Sequence, residues 1–103
     1  MAEIELPFDE LMREPILNGQ KICTSRTKCY GEPGDTFKAF GSTFRITAVQ
    51  KIPLRGVAVY LYQLEGCVSP IDFLLVWSEM YPRRGWEPGI EAWVHFFVKR
   101  GEP

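Results

Sequence analysis

Residues 19–26 read Gly-Gln-Lys-Ile-Cys-Thr-Ser-Arg, and Gly34-Asp35 follows a short way on. Lys21, Thr24 and Arg26 thus fall within six positions of one another. They are a candidate base, a candidate nucleophile and a guanidinium able to clamp an anion. A threonine hydroxyl attacks only after a base removes its proton, and a lysine is such a base only when neutral. A free lysine titrates near ~10.4, so burial or a neighbouring positive charge has to lower it. Arg26 is placed to supply that charge.

Geometry constrains the three. In a regular strand, residues three apart point to opposite faces, so Lys21 and Thr24 diverge. They meet only if Lys21 lies in an irregular lead-in after Gly19 or the strand bulges. Thr24 and Arg26 share a face without distortion. The expectation is that Thr24 and Arg26 line a cleft together and Lys21 reaches it from the rim. The plainer reading makes Lys21 a solvated charge, Thr24 a strand former and Arg26 the partner of an acid such as Asp35.

Two further pairings of charge with aromatic rings stand out. Arg83-Arg84-Gly85-Trp86 sits in a Gly- and Pro-rich loop, and Lys28 and Tyr30 follow the first motif. Both combinations suit phosphate contact plus base stacking on RNA. In the competing reading the loop is solvated and Trp86 folds back onto the core. His95, the one histidine, reads as a packed, hydrogen-bonded residue. Cys23, Cys29 and Cys67 are odd in number and follow no disulfide or zinc spacing. No metal site or cofactor is therefore expected, although a divalent ion held loosely on carboxylates stays open. Cys23 reads as a small inward-facing residue.

The elements that must position these residues follow from periodicity and punctuation. Phe8, Leu11, Met12 and Ile16 recur at helical spacing, so residues 9–17 form a first helix, stopped at Asn18-Gly19, with Pro15 inside the pattern. Residues 21–26 read as a strand, and 36–40 and 43–50 as a hairpin across Gly41-Ser42. Residues 54–64 carry both signals. Val57, Val59, Tyr60 and Tyr62 favour a strand, while Leu54, Val57, Leu61 and Leu64 make a helical stripe ended by Gly66. Ser69-Pro70-Ile71-Asp72 is a capped helix start, with the helix running to about Met80 and stopping at Tyr81-Pro82. Residues 93–99 form the closing strand.

A chain of 103 residues makes one domain, 1–103, with 46% hydrophobic and 24% charged residues. Its formal charge of -1 excludes a broadly positive surface, so any RNA contact has to use a local cluster. Residues 1–7 lack a secretory pattern, and no apolar run approaches the ~20 residues that span a bilayer. With the cysteine usage, this predicts a cytoplasmic protein without membrane partners. Nothing in the sequence assigns an oligomeric state.

The spacing G-x-K-x-x-T-x-R followed by G-D resembles the signature of ASCH domains, small PUA-like barrels tied to RNA. Later segments agree in order: Leu54 followed by Glu65-Gly66, then Ser69-Pro70-Ile71-Asp72-Phe73 with Trp77 and Tyr81-Pro82, then Trp93-Val94-His95-Phe96-Phe97. The resemblance covers about residues 8–98 and decides for a helix at 54–64. It implies an α+β fold, a PUA-like curved β-barrel of about five or six strands with short flanking helices and a cleft beside the first motif. It also implies binding of RNA or a modified nucleoside in that cleft, near Lys21, Thr24, Arg26 and Glu65. One branch of the family removes the acetyl group of N(4)-acetylcytidine, and its catalytic lysine, threonine and glutamate match Lys21, Thr24 and Glu65. An ionised Glu65 beside Lys21 opposes lowering the lysine's pKa, so its part there is proton transfer or orientation. The alternatives carried forward are therefore this amidohydrolase, a pure RNA-binding module and a metal-dependent ribonuclease. The near-neutral charge tilts the expectation toward a small nucleoside over a long RNA.

Overall fold

Strand β4 (Glu91–Lys99) is the centre of the fold. It pairs antiparallel with β1 (Cys23–Arg26) on one side and with β3 (Ser42–Pro53) on the other. Strand β2 (Thr36–Ala39) then pairs with β3, giving the order β1-β4-β3-β2. The computed structural model describes residues 1–100. Among them the sheet has four strands, fewer than the five or six the resemblance implied. The place beside β2 is taken by a single parallel bridge, Glu3 to Thr36. There Ile4 N–H donates to Thr36 O and Thr36 N–H to Ala2 O, both at 2.8 Å. The sheet curls, and a register shift between Ile46 and Ala48 leaves Thr47 as the extra residue. Such a bulge bends a strand and raises its twist.

The β2–β3 turn comes one residue earlier than the sequence predicts. Ser42 already pairs with Ala39, so the loop is Phe40-Gly41, with φ of 50° and 82°. A two-residue type I′ turn needs positive φ at both positions, and Gly41 supplies one of them freely.

The expected first helix divides into a 3-10 turn, Glu10–Met12, capped by the Asp9 carboxylate, and a short α1 (Arg13–Leu17). Pro15 falls in the first turn of α1, where its missing N–H has little consequence. Helix α2 (Leu54–Tyr60) confirms the helical reading of that segment but stops short, and turns carry the chain from residue 62 to 66. Helix α3 (Pro70–Met80) starts as expected: Ser69 Oγ accepts from Asp72 N–H at 3.0 Å, and Asp72 Oδ2 accepts from Val68 N–H at 2.9 Å. This reciprocal capping fixes where α3 begins and hence which face it buries.

Two apolar cores flank the sheet. Leu54, Val57, Phe73, Trp77, Ala92 and Val94 pack under α2 and α3. Leu6, Ile16, Phe37, Phe44, Ile46 and Phe97 pack under the N-terminal segment and α1. In the second, the Phe97 ring stands edge-on to Phe37 and Phe44, with centroids 5.3 and 5.5 Å apart. Strand β1 lies at the sheet's edge, and just past its end Thr27 N–H donates to the hydroxyl of Tyr81, the residue that ends α3, at 3.3 Å. Among the described residues no helix is long and apolar enough to cross a membrane.

Candidate functional site

A cavity of about 540 Å³ opens beside the edge strand β1. Pro7, Phe8 and Met12 form one wall, Phe73, Trp77 and Tyr81 on the α3 side form another, and the turn at Glu65, Gly66 and Cys67 closes one end. Lys21, Thr24, Ser25 and Arg26 line the floor, and Tyr30 lies beside them. An edge strand can offer both of its faces to a cavity at that edge, so residues of opposite orientation reach the same space. The divergence expected for Lys21 and Thr24 is thereby resolved without their touching.

Lys21 is only 3% exposed, so it lies inside rather than at the rim. It precedes the regular strand, which starts at Cys23, where Ile22 and Cys23 both donate main-chain N–H groups to Leu64 O at 2.8 and 3.2 Å. Lys21 Nζ donates to Cys23 O at 2.8 Å, Glu65 O at 2.7 Å and Glu65 Oε1 at 3.2 Å. Three acceptors match the three protons of an ammonium group. The other Glu65 oxygen, Oε2, accepts from Ser25 Oγ at 2.6 Å. Ser25, absent from the sequence-derived candidates, thus completes a buried Lys21–Glu65–Ser25 network. Its signal was only adjacency to the motif.

Arg26 is 4% exposed, and among the described residues it forms no ion pair with a carboxylate. Its Nη2 donates to Pro7 O at 2.6 Å and its Nε to Thr24 Oγ1 at 3.2 Å. The guanidinium carbon lies 5.1 Å from the Phe8 ring centroid and 5.6 Å from that of Tyr30. Burial draws its pKa down from the ordinary value, while Tyr81, Tyr30 and Glu65 oppose that shift. Asp35 is not its partner: that carboxylate takes Ala2 N–H and Glu32 N–H, both at 2.8 Å, and closes the loop.

His95 is fully buried, as its packed reading requires. Its Nε2 accepts from Tyr30 N–H at 3.0 Å, so Nδ1 carries the proton and faces Thr24 O at 3.3 Å. Burial lowers its pKa, with the Arg26 charge acting in the same direction. Cys23 is also fully buried; burial first, then the Glu65 carboxylate, pushes its thiol far above the usual range. Burial and Asp72 push the Cys67 thiol up to about 11. Neither is an activated thiolate.

The remaining candidates separate into two groups. Tyr30 lines the cavity, and Lys28 sits outside it with Nζ 5.1 Å from the Tyr30 ring. Arg83, Arg84 and Trp86 do not line it. Arg84 pairs with Glu87 at 3.0 Å, and Trp86 packs edge-on to Phe73 at 6.3 Å. Trp77 is 1% exposed and lines the cavity. Its Nε1 is the buried side-chain polar atom among the described residues that has no hydrogen-bond partner. An orphaned buried donor costs about 1–3 kcal/mol. No group of three or more His, Cys, Asp or Glu among the described residues is placed to hold a metal ion.

No family model and no curated protein matches the sequence. Solved structures do match over nearly the whole chain. The hypothetical protein PH0355 superposes with a TM-score of 0.72 at 16% identity, covering 96% of this chain and 99% of that one. An ASCH domain from Lactobacillus crispatus gives 0.68 at 14% identity, over 95% of this chain and 78% of that one. A protein from Enterococcus faecalis V583, of the family model DUF984, gives 0.67 at 15% identity over 96% and 78%. Likeness at such identities speaks for the fold, which is where the sequence motif and the superposition meet: the chain has the curved α+β, PUA-like fold of ASCH domains.

Proposed function

We propose that the cavity beside β1 binds a nucleoside unit, either free and modified or as one residue of an RNA strand. The observation that carries this reading is Arg26, a buried guanidinium that lines the cavity between two aromatic rings and pairs with no carboxylate among the described residues. A buried cation without a counter-charge is costly, and an anionic or carbonyl-rich ligand relieves that cost. Phe8 and Tyr30 offer ring surface beside it, the combination that holds single nucleotides elsewhere. The RNA association implied by the resemblance to ASCH domains agrees in kind. Titration of the protein with nucleosides, nucleotides and short RNAs, followed calorimetrically, tests the reading. Arg26→Lys keeps the charge but loses the planar fork, and binding is expected to fall by ~10-fold or more. Unchanged affinity in Arg26→Lys and Arg26→Ala alike would remove the reading's main support.

A second reading rests on Lys21, Thr24 and Glu65 all lining this one cavity. In it the protein hydrolyses the acetyl amide of N(4)-acetylcytidine. Passing one ammonium proton of Lys21 to Glu65 Oε1, 3.2 Å away, gives a neutral amine and a neutral acid. In this reading the amine takes the Thr24 hydroxyl proton through a bridging water, since Thr24 Oγ1 accepts from Arg26 Nε and does not touch Lys21. Thr24 Oγ1 then forms an acetyl ester as the amide C–N bond breaks, and the proton passes to the departing cytidine amino group. A water hydrolyses the ester to acetate. Release of cytidine by the purified protein, lost in Lys21→Ala, supports this reading. Failure of the parent to release any cytidine ends it for this substrate. The ribonuclease reading has no ligand cluster behind it among the described residues.

A further inference from the structure

Tyr30 walls the cavity from a loop. Its ring centroid lies 5.6 Å from the Arg26 guanidinium carbon, yet the residue belongs to no helix or strand. The segment that delivers it, residues 27–30, is tied to the fold by two main-chain donors. Thr27 N–H donates to the Tyr81 hydroxyl at 3.3 Å, and Tyr30 N–H donates to His95 Nε2 at 3.0 Å. Both acceptors are side chains, and the imidazole is one that titrates near neutral pH.

His95 accepts that bond only as a neutral ring. In neutral imidazole one nitrogen accepts and the other donates. Nδ1 faces Thr24 O at 3.3 Å and carries the proton, which leaves the Nε2 lone pair to Tyr30. A protonated ring has donors at both nitrogens, so neither ring orientation offers Tyr30 N–H an acceptor. Two N–H groups then oppose each other at a ring with no exposed surface.

The charges around the ring come from several elements. Arg26 on β1 opposes protonation, as burial does. Glu65 in its turn favours it, as do the main-chain groups of Thr24 and Trp93. On β3 the ring's partner is Val49, which is apolar. The loop contributes the Tyr30 ring, edge-on at 6.1 Å, with Lys28 Nζ 5.1 Å from the centre of that ring.

We propose that His95 is the positioning residue of the site: its neutral imidazole holds Tyr30 beside Arg26, and its protonation releases Tyr30 and the bound nucleoside together. The inference rests on the nucleoside reading above and supplies its regulation. His95 does not line the cavity, so it acts through Tyr30 rather than on the ligand. Binding and loss of the His95 proton are then linked, and the site empties on acidification.

The test uses the intact protein with uridine and adenosine, neither of which titrates where a histidine does, between about pH 5 and 8. Affinity is followed over that range, together with the Tyr30 amide and His95 ring resonances. Binding should weaken by up to ~10-fold per pH unit below the imidazole midpoint, the slope of a single linked proton. In the ligand-free protein the Tyr30 amide signal should move with that same midpoint. His95→Leu removes the acceptor and should bind about 10-fold more weakly at every pH. His95→Gln returns an acceptor that does not titrate, so it should recover binding over His95→Leu and show a flat profile. Any titration of Glu65 persists in that variant, and the difference from the parent isolates the imidazole. Affinity in the parent that stays level while the imidazole titrates overturns the inference. So does a Tyr30 amide that ignores the imidazole midpoint, a measurement that stands even if the variants fold poorly. If neither nucleoside binds at any pH, the nucleoside reading itself falls and this inference with it.

Discussion

Lys21 and Glu65 stand 44 residues apart in the chain, yet each completes the other's hydrogen bonding at 3% and 5% side-chain exposure. A buried pair of this kind is a weak source of net stability, but breaking it by removing one partner leaves a charge stranded in the interior. Lys21→Met should therefore destabilise the protein by about 3–5 kcal/mol in urea unfolding at neutral pH. Ser25→Ala removes one hydrogen bond to the same carboxylate and should cost less, about 1.5–3 kcal/mol. The reverse ranking would mean that the Lys21 pair is solvated and the network is not the unit described. A second residue-scale prediction concerns His95, whose folded-state pKa burial lowers from the ordinary 6.5. In the unfolded chain the imidazole takes up a proton as pH falls below about 6.5. In the folded chain protonation is resisted, because Nε2 is already occupied by Tyr30 N–H. His95 thus contributes stability above pH 6.5 that is lost as pH drops toward its folded value. Urea midpoints measured from pH 7.5 to 5.5 should fall on acidification, and His95→Gln should flatten that part of the slope.

Among the elements, the turn that delivers Glu65 depends on Gly66. Its φ is +88°, and a Cβ there would lie 3.1 Å from Pro15 Cβ and 3.2 Å from Lys21 Cβ. Gly19 has nearly the same φ, +87°, but a Cβ there would meet nothing within 4 Å. Both substitutions to alanine force a side chain into a left-handed conformation, at a cost of about 1 kcal/mol, but only Gly66→Ala also pushes α1 and Lys21 aside. Gly66→Ala should be the more destabilising of the two in thermal unfolding, and it should weaken ligand binding where Gly19→Ala does not. Equal losses would show that φ alone matters at position 66. Legibility at this scale followed local chemistry. Ser69, Pro70 and Asp72 announced α3 because cap and first turn lie within four residues of sequence. The β2–β3 turn was displaced by one because Phe40 accepts a positive φ that the sequence offers no reason to expect. The end of α2 was overrun because Leu61 and Leu64 continue the apolar stripe from within turns, packing on the same core.

For the molecule as a whole, the cavity exists because the N-terminal segment, β1, the Glu65 turn and α3 converge on one edge of the sheet. The motif residues were legible, but their burial was not. Nothing local to Lys21 says that three acceptors from Cys23 and Glu65 will enclose it. Nor does Trp77 differ from a core tryptophan until its indole N–H is found without a partner. The charge distribution carries one more consequence. With a net charge of -1, the molecule has no broad positive surface to follow a phosphate backbone. Near the cavity the cations left for a ligand are Arg26 and, outside it, Lys28 over Tyr30. Each phosphate contact to a single strand contributes a slope of about -0.7 in log affinity against log salt, so two contacts give about -1.4. Binding of a short RNA should therefore show a slope no steeper than that, and Lys28→Ala should make it shallower. A second hollow lined by Arg45, Lys99 and Arg100 lies among residues distinct from the cavity's. A slope of about -3 or steeper, reduced by Arg45→Ala, would mean that RNA runs over that surface. The cavity would then hold one base of a long strand, and the preference for a small nucleoside would be wrong.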